Sequence, residues 1–185
     1  MPVSGGEARR LAWHAEDAQV KGWTPDGKSV LFASGRDTAP RPIQRLWTVG
    51  VQGGPAALVN KQWAFNGSFS PDGNKMVIDR MGRWDVEWRN YRGGQNTPLI
   101  ILNLNNQSEK LIPNDEHTTD IQPVWVDQTI YFLSDRDWTM NVWAYSVRSG
   151  DLKQVTRFEG TDVKWLGAGN GKLIIEQNGY LHTVD

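Results

Sequence analysis

The 185-residue sequence contains no cysteine, which excludes disulfides, thiol catalysis and cysteinyl metal sites together. It has no apolar run approaching the roughly eighteen residues of a membrane-crossing helix, so no membrane span is expected. Charge of one sign is also lacking. Lys and Arg number 20 against 21 Asp and Glu, a net charge of −1, which sets up no long-range field for nucleic acid or an anionic membrane. Histidine is scarce: His14, His117 and His182 stand in three separate regions. His182 falls in mid-strand, where a packed structural histidine is expected. His14 with Glu16 and Asp17, and His117 with Asp115, Glu116 and Asp120, lack zinc or calcium ligand spacing and read as solvated loop charge. No metal and no cofactor is expected. Serine never stands in a Gly-x-Ser-x-Gly elbow, and the nearest look-alike, Gly67-Ser68-Phe69-Ser70-Pro71, belongs to a turn. Without an assembled nucleophile, base and orienting acid, the chain by itself is expected to hydrolyse nothing.

What is present is repetition. Trp23-Thr24-Pro25-Asp26-Gly27 returns as Phe69-Ser70-Pro71-Asp72-Gly73, each followed by a β-rich run, Ser29 to Ser34 and Lys75 to Asp79. A degenerate copy is Trp125-Val126-Asp127 before Thr129 to Ser134, and the last is Trp165 before Lys172 to Glu176. Anchors recurring every 40 to 56 residues mean a solenoid or a propeller built from one supersecondary unit per repeat. Proline presets φ for a type I turn and glycine takes the left-handed position after it, so each anchor closes a tight hairpin with a bulge. Third strands follow at Arg45 to Val51, Pro98 to Leu104, Asn141 to Val147 and Tyr180 to Val184. Fourth strands follow at Ala56 to Val59, Glu109 to Ile112 and Leu152 to Thr156.

The second strands are apolar on both faces: Val30 and Phe32 alternate with Leu31 and Ala33, and Ile130 and Phe132 with Tyr131 and Leu133. That is the pattern of a sheet covered on both sides, which radially stacked blades provide. The expected fold is therefore all-β, a β-propeller of antiparallel four-stranded blades. Ten Trp suit wide gaps between twisted blades, and Trp23, Phe69, Trp125 and Trp165 are expected at equivalent buried positions. The blades are expected over 18-60, 63-113 (with a long insert, 81-96), 120-157 and, incomplete, 161-185. Gly5-Gly6-Glu7 to Leu11 matches Gly53-Gly54-Pro55 to Leu58, so 3-13 is expected to be the outer strand of a preceding blade. About four blades' worth is thus present, three complete and one split between the ends.

The run Trp88-Arg89-Asn90-Tyr91-Arg92-Gly93-Gly94, followed by Pro98 to Leu104, resembles the tryptophan, tyrosine-arginine-glycine-glycine and strand sequence of tricorn-type serine peptidases, in the propeller near their N-terminus. Trp23 to Arg36, Phe69 to Gly73, Ile130 to Arg136 with Asn141, Gln154-Val155-Thr156, Asp162-Val163-Lys164 and Gly179 to His182 resemble that family in the same order, over essentially the whole chain. The turns by themselves also occur in TolB-like and dipeptidyl-peptidase propellers. The resemblance implies an open segment of a six-bladed ring whose PDZ and catalytic domains lie elsewhere in a parent serine peptidase. It also implies peptides and those remaining domains as partners, and a homo-oligomer at full length. A TolB-like protein-binding propeller and a propeller appendage of another hydrolase, such as an amidohydrolase or a prolyl-oligopeptidase-type enzyme, stand as alternatives. The compartment is open between cytoplasm, which is favoured, and periplasm.

In a propeller the fourth-to-first and second-to-third connections emerge on one face. Here that face collects His14 to Asp17, Gly35 to Gln44, Asp115 to Asp120, Asp135 to Met140 and the insert. A long insert in a compact repeat is functional or disordered, and this one interleaves Arg83, Arg89 and Arg92 with Trp84, Trp88 and Tyr91, residue types enriched where proteins grip partners. These six are the candidate peptide or partner contacts. The competing expectation is a cap packed on the next blade, its arginines paired with acids such as Asp120 or Asp135. Ser34-Gly35-Arg36-Asp37 and Ser134-Asp135-Arg136-Asp137 recur at one blade position, so Arg36, Asp37, Asp135 and Arg136 are expected to form interblade salt bridges. Catalytic residues are expected to be none.

Overall fold

The computed structural model describes residues 4–80, 90, 92–94, 96, 98–115 and 118–184, and no helix forms among them. The chain divides into two compact units, Met1–Trp63 and Ala64–Asp185.

The first unit holds one antiparallel meander: β1 (Gln19–Trp23), β2 (Ser29–Ser34), β3 (Arg45–Gly50) and β4 (Ala57–Leu58), hydrogen-bonded in that order. Gly27 takes φ 67°, the left-handed position its sequence reserves for it. Its N–H donates to Thr24 O at 2.9 Å, and Asp26 Oδ1 accepts from Thr24 Oγ1 at 2.7 Å and Lys28 N at 3.0 Å. Val30, Leu31, Phe32 and Ala33 are all buried, as a strand apolar on both faces requires. Val30, Phe32, Trp47 and Val49 form one cluster, against which Leu11, Ala12, Ala56 and Leu58 pack.

The second unit holds three meanders. The first comprises β5 (Asn66–Phe69), β6 (Lys75–Asp79), β7 (Ile100–Asn103) and β8 (Glu109–Leu111). The second comprises β9 (Asp120–Val126), β10 (Thr129–Ser134), β11 (Asn141–Ser146) and β12 (Leu152–Gln154), and the third β13 (Val163–Gly169), β14 (Lys172–Gln177) and β15 (Tyr180–Val184). Neighbouring sheets share side-chain layers. Val77, Leu99, Ile101 and Ile112 meet Ile130, Phe132 and Tyr145; Ile121, Leu133 and Val142 meet Val163, Leu166 and Ile175. Gln122, at a bulge of β9 with φ 52°, ties all three sheets together. Its N–H donates to Asp79 Oδ2 at 3.1 Å and its Oε1 accepts from Leu166 N at 3.0 Å.

The Ser70-Pro71-Asp72-Gly73 turn repeats the first hairpin bond for bond. Asp72 accepts from Ser70 Oγ at 2.6 Å and from Asn74 N and Nδ2 at 3.1 Å. The Ser70 hydroxyl first, then the Asn74 side chain and backbone, hold its carboxyl at about 2, below the ordinary 3.8. A carboxyl lowered in the folded state contributes stability that is present above the ordinary value and is lost as pH falls towards the lowered one. Carboxyl NMR titration is therefore expected to place the Asp72 midpoint near 2, and Ser70→Ala to move it upward; an unmoved midpoint contradicts the hydrogen bond as its main cause.

Three expectations are corrected. Trp23, Phe69 and Trp125 do share a register, facing Val30, Met76 and Ile130, but Trp165 faces Glu176, while Ala168 takes the equivalent place opposite Leu173. The reason is the turn: β13 runs on to Gly169 and closes through Asn170 and Gly171, both left-handed, so the fourth hairpin needs no aromatic anchor. The Trp165 ring folds over Gly167 instead, where a Cβ would come within 2.3 Å of it. Secondly, the anchors are not buried. Trp23 is 59% and Trp165 47% exposed, and Phe69 and Trp125 are half-buried, because the second and third strands fill the space between sheets. Those fillers are Val, Leu, Ile and Met with Phe32, Phe132 and Tyr145, and among the described tryptophans Trp47 alone is buried with them. Thirdly, residues 5–14 form no strand, since no strand among the described residues pairs with their backbone. The likeness behind the expectation is real in the backbone: Gly5 and Gly6 take φ 89° and 120°, Gly53 and Gly54 take 83° and 117°.

Candidate functional site

Of the six insert candidates, Arg83, Trp84, Trp88, Arg89 and Tyr91 lie outside the described residues. Arg92 lies within them, where the chain returns towards β7, and it is clamped. Its NH1 meets Asp135 Oδ2 at 2.6 Å and its NH2 donates to Asp135 O at 3.3 Å. Its guanidinium carbon sits 5.1 Å from the centre of the Trp138 ring, a cation–π distance. Asp135 is 2% exposed and also accepts from Thr119 N at 2.8 Å. Thr119 Oγ1 in turn lies 3.2 Å from Asn96 Oδ1. Arg92 thus makes the pairing that a packed cap requires, and the end of the insert is pinned to the sheet β9–β12. Two charges held mostly away from water, with the guanidinium bonded to both the carboxylate and the backbone carbonyl of Asp135, form a stiff joint.

Beside it lies a second pair. Arg136 NH2 meets Asp120 Oδ2 at 2.6 Å, with side chains 13% and 0% exposed. Asn114 Nδ2 adds a bond to the same oxygen at 2.7 Å, and Arg136 also reaches Pro113 O at 2.9 Å and Ser134 Oγ at 3.0 Å. The ion pair runs from the start of β9 to just beyond the end of β10, within one sheet; the Pro113 and Asn114 contacts leave it. That differs from the interblade bridge expected for Arg136, because the ladder sets Asp120 opposite Ser134, two residues before Arg136, and so brings its carboxylate within reach inside the sheet. In the first unit Asp37 faces His14 at 3.7 Å. Arg36 has no ion pair among the described residues.

The sequence reading missed Trp138, which stacks on Arg92 and is 67% exposed. Its signal was the local one: a tryptophan in the second-to-third strand connection right after the Ser134-Asp135-Arg136 strand end. Among the described residues, the exposed surface around Arg92 therefore combines the Trp138 indole with a guanidinium already neutralised by Asp135. Such a patch offers apolar area and little free charge.

Repeated antiparallel meanders whose second strands are covered on both faces, with side-chain layers shared from sheet to sheet, define the class: this is β-propeller sequence and structure. The profile of the tricorn protease N-terminal beta propeller domain matches residues 1–185, so the chain belongs to that family. It is 28% identical over 189 residues to tricorn protease homolog 1 of Streptomyces coelicolor, an alignment covering 100% of this chain and 17% of that protein. The chain thus spans about a sixth of that relative. Among solved structures, TolB from Acinetobacter baumannii aligns at TM-score 0.64 and 18% identity, over 98% of this chain and 46% of that one. The tricorn protease aligns at TM-score 0.55 and 16% identity, over 98% and 22%. At such identities the structural likeness is a likeness of fold.

Proposed function

We propose that this chain is a non-catalytic propeller portion of a tricorn-like serine peptidase and that it guides peptides to or from a proteolytic chamber formed with the remaining domains. The observation that carries the reading is membership of the tricorn N-terminal propeller family along all 185 residues, joined to an insert rich in arginine and tryptophan. The clamp on Arg92 sorts the candidates. Arg92 is the anchor, its charge spent on Asp135, while Arg83 and Arg89 with Trp84, Trp88 and Tyr91 are the groups assigned to peptide contact. Arginine takes a peptide carboxylate or acidic side chain in bidentate fashion, and indoles supply rigid apolar area at low entropic cost.

In the full-length peptidase, Arg89→Ala is expected to leave stability within about 0.5 kcal/mol, as ordinary surface changes do. Its kcat/KM for oligopeptides is expected to fall by roughly tenfold or more. A double Arg83→Ala, Arg89→Ala enzyme that keeps both stability and full peptide processing rules out the contact role and favours the reading of the insert as a packed cap.

A further inference from the structure

In the sheet β9–β12 the arginine after the second strand carries its own counter-ion. Arg136 lies 5.4 Å from the Phe132 ring centre and 5.5 Å from that of Trp143, bonds Ser134 Oγ through Nε, and meets Asp120. Asp120 stands directly opposite Ser134 in the ladder. The first unit repeats every part of this except the last. Arg36 lies 4.7 Å from the Phe32 ring centre and 5.6 Å from that of Trp47, and its Nε reaches Ser34 Oγ at 3.4 Å. The ladder pairs Gln19 with Ala33, which brings Ala18 to the place opposite Ser34. Ala18 is exposed and has no carboxyl; its counterpart Asp120 is buried and has one.

Arg36 is nonetheless 5% exposed, and no carboxylate among the described residues reaches it. Guanidinium cannot shed its proton to escape burial, and a desolvated charge without a partner is costly. A second arginine adds to the excess. Arg45 is opposed to Ser34 across β2 and β3, so both project from one face, and its Nε is buried with no hydrogen-bond partner. Trp47 Nε1 is a third buried donor without one, although Trp143 Nε1 shares that condition in the other sheet and so distinguishes nothing. The loop joining the two arginines is tied across itself: Ile43 N donates to Thr38 Oγ1 at 2.8 Å, and Gly35 lies so close under Pro42 that a Cβ would come within 2.4 Å of it.

We propose that this end of β2 is a carboxylate-binding site, in which Arg36 and Arg45 receive a carboxylate in the place that Asp120 fills beside Arg136. A carboxylate is the group assigned because the intact copy of the motif holds one there. The site uses none of the insert's residues and does not depend on how the chain serves a peptidase.

The test is isothermal titration of the full chain with three probes: acetyl-triglycine bearing a free C-terminus, its C-terminal amide, and an amidated acetyl-Gly-Glu-Gly. Binding of the free acid, of the glutamyl peptide, or of both, with none of the neutral amide, is the expected result; the tighter of the two tells a chain terminus from an acidic side chain as the source. Ala18→Asp, which restores the internal carboxylate, is expected to weaken that binding at least tenfold and to raise Tm. Arg36→Met is expected to abolish binding, and Ala18→Asp decides the matter if Arg36→Met does not fold. Equal binding of the neutral amide, no binding of either carboxylate, or undiminished binding in Ala18→Asp overturns the proposal.

Discussion

Phe132→Ala is expected to cost about 3 to 5 kcal/mol, the loss seen when a large aromatic is removed from a core that cannot collapse around the void. Phe132 is fully buried on β10, the second strand of its meander, and belongs to the layer formed with Val77, Leu99, Ile101 and Ile112 of the preceding sheet. Four residues of one sheet and three of the next lean on that layer, so no single strand can shift to close the gap. The same ring lies against the Arg136 guanidinium, whose stacking is lost with it. Urea denaturation checks the value, and Tm is expected to fall on the order of 10 °C. Trp23→Ala serves as the comparison: with Trp23 largely exposed, its loss is expected to cost no more than about 1 kcal/mol. If the two variants are equally destabilised, the assignment of the core to the second and third strands is wrong.

The second large effect is expected at Arg136. Removing it by Arg136→Ala leaves Asp120, fully buried, with Asn114 and no cation, and breaking a buried pair from one side costs about 3 to 5 kcal/mol. Replacing both members, Arg136→Met with Asp120→Leu, removes the stranded charge along with its partner and is expected to recover most of that loss. A double-mutant cycle by chemical denaturation measures the coupling. A cost below about 1 kcal/mol for Arg136→Ala, the range of an exposed ion pair, contradicts the burial on which the argument stands.

How much was legible in the sequence follows from where each property is encoded. The hairpins were legible because their chemistry is local: Pro and Gly set φ within the turn, and Asp26 and Asp72 bond backbone two residues on. The second strands could be read residue by residue, Ser29 to Ser34, Lys75 to Asp79 and Thr129 to Ser134, because runs apolar on both faces occur only where a sheet is covered twice. Asn170-Gly171 and Asn178-Gly179, where left-handed pairs close the last two hairpins, were equally local and were passed over in favour of the aromatic anchor. At the candidate site, an Arg92–Asp135 pair was among the readings the sequence allowed. Nothing in it ranked Asp135 above Asp120, since the first residue of β9 and the residue after β10 come side by side only when those two strands pair.

The sequence by itself therefore determined the period, the all-β class, the meander and the family, since each rests on contacts between residues near in the chain or on a pattern repeated along it. Only the tertiary structure decided which aromatics are covered, that Trp165 is out of phase with the other anchors, that Arg136 pairs inside its own sheet, and that Arg36 repeats the same motif without an acid. Those outcomes depend on ladder register, which places Asp120 beside one arginine and Ala18 beside the other. A shift or substitution at a single opposed position changes the partner of a charge while leaving the local pattern on either strand unaltered.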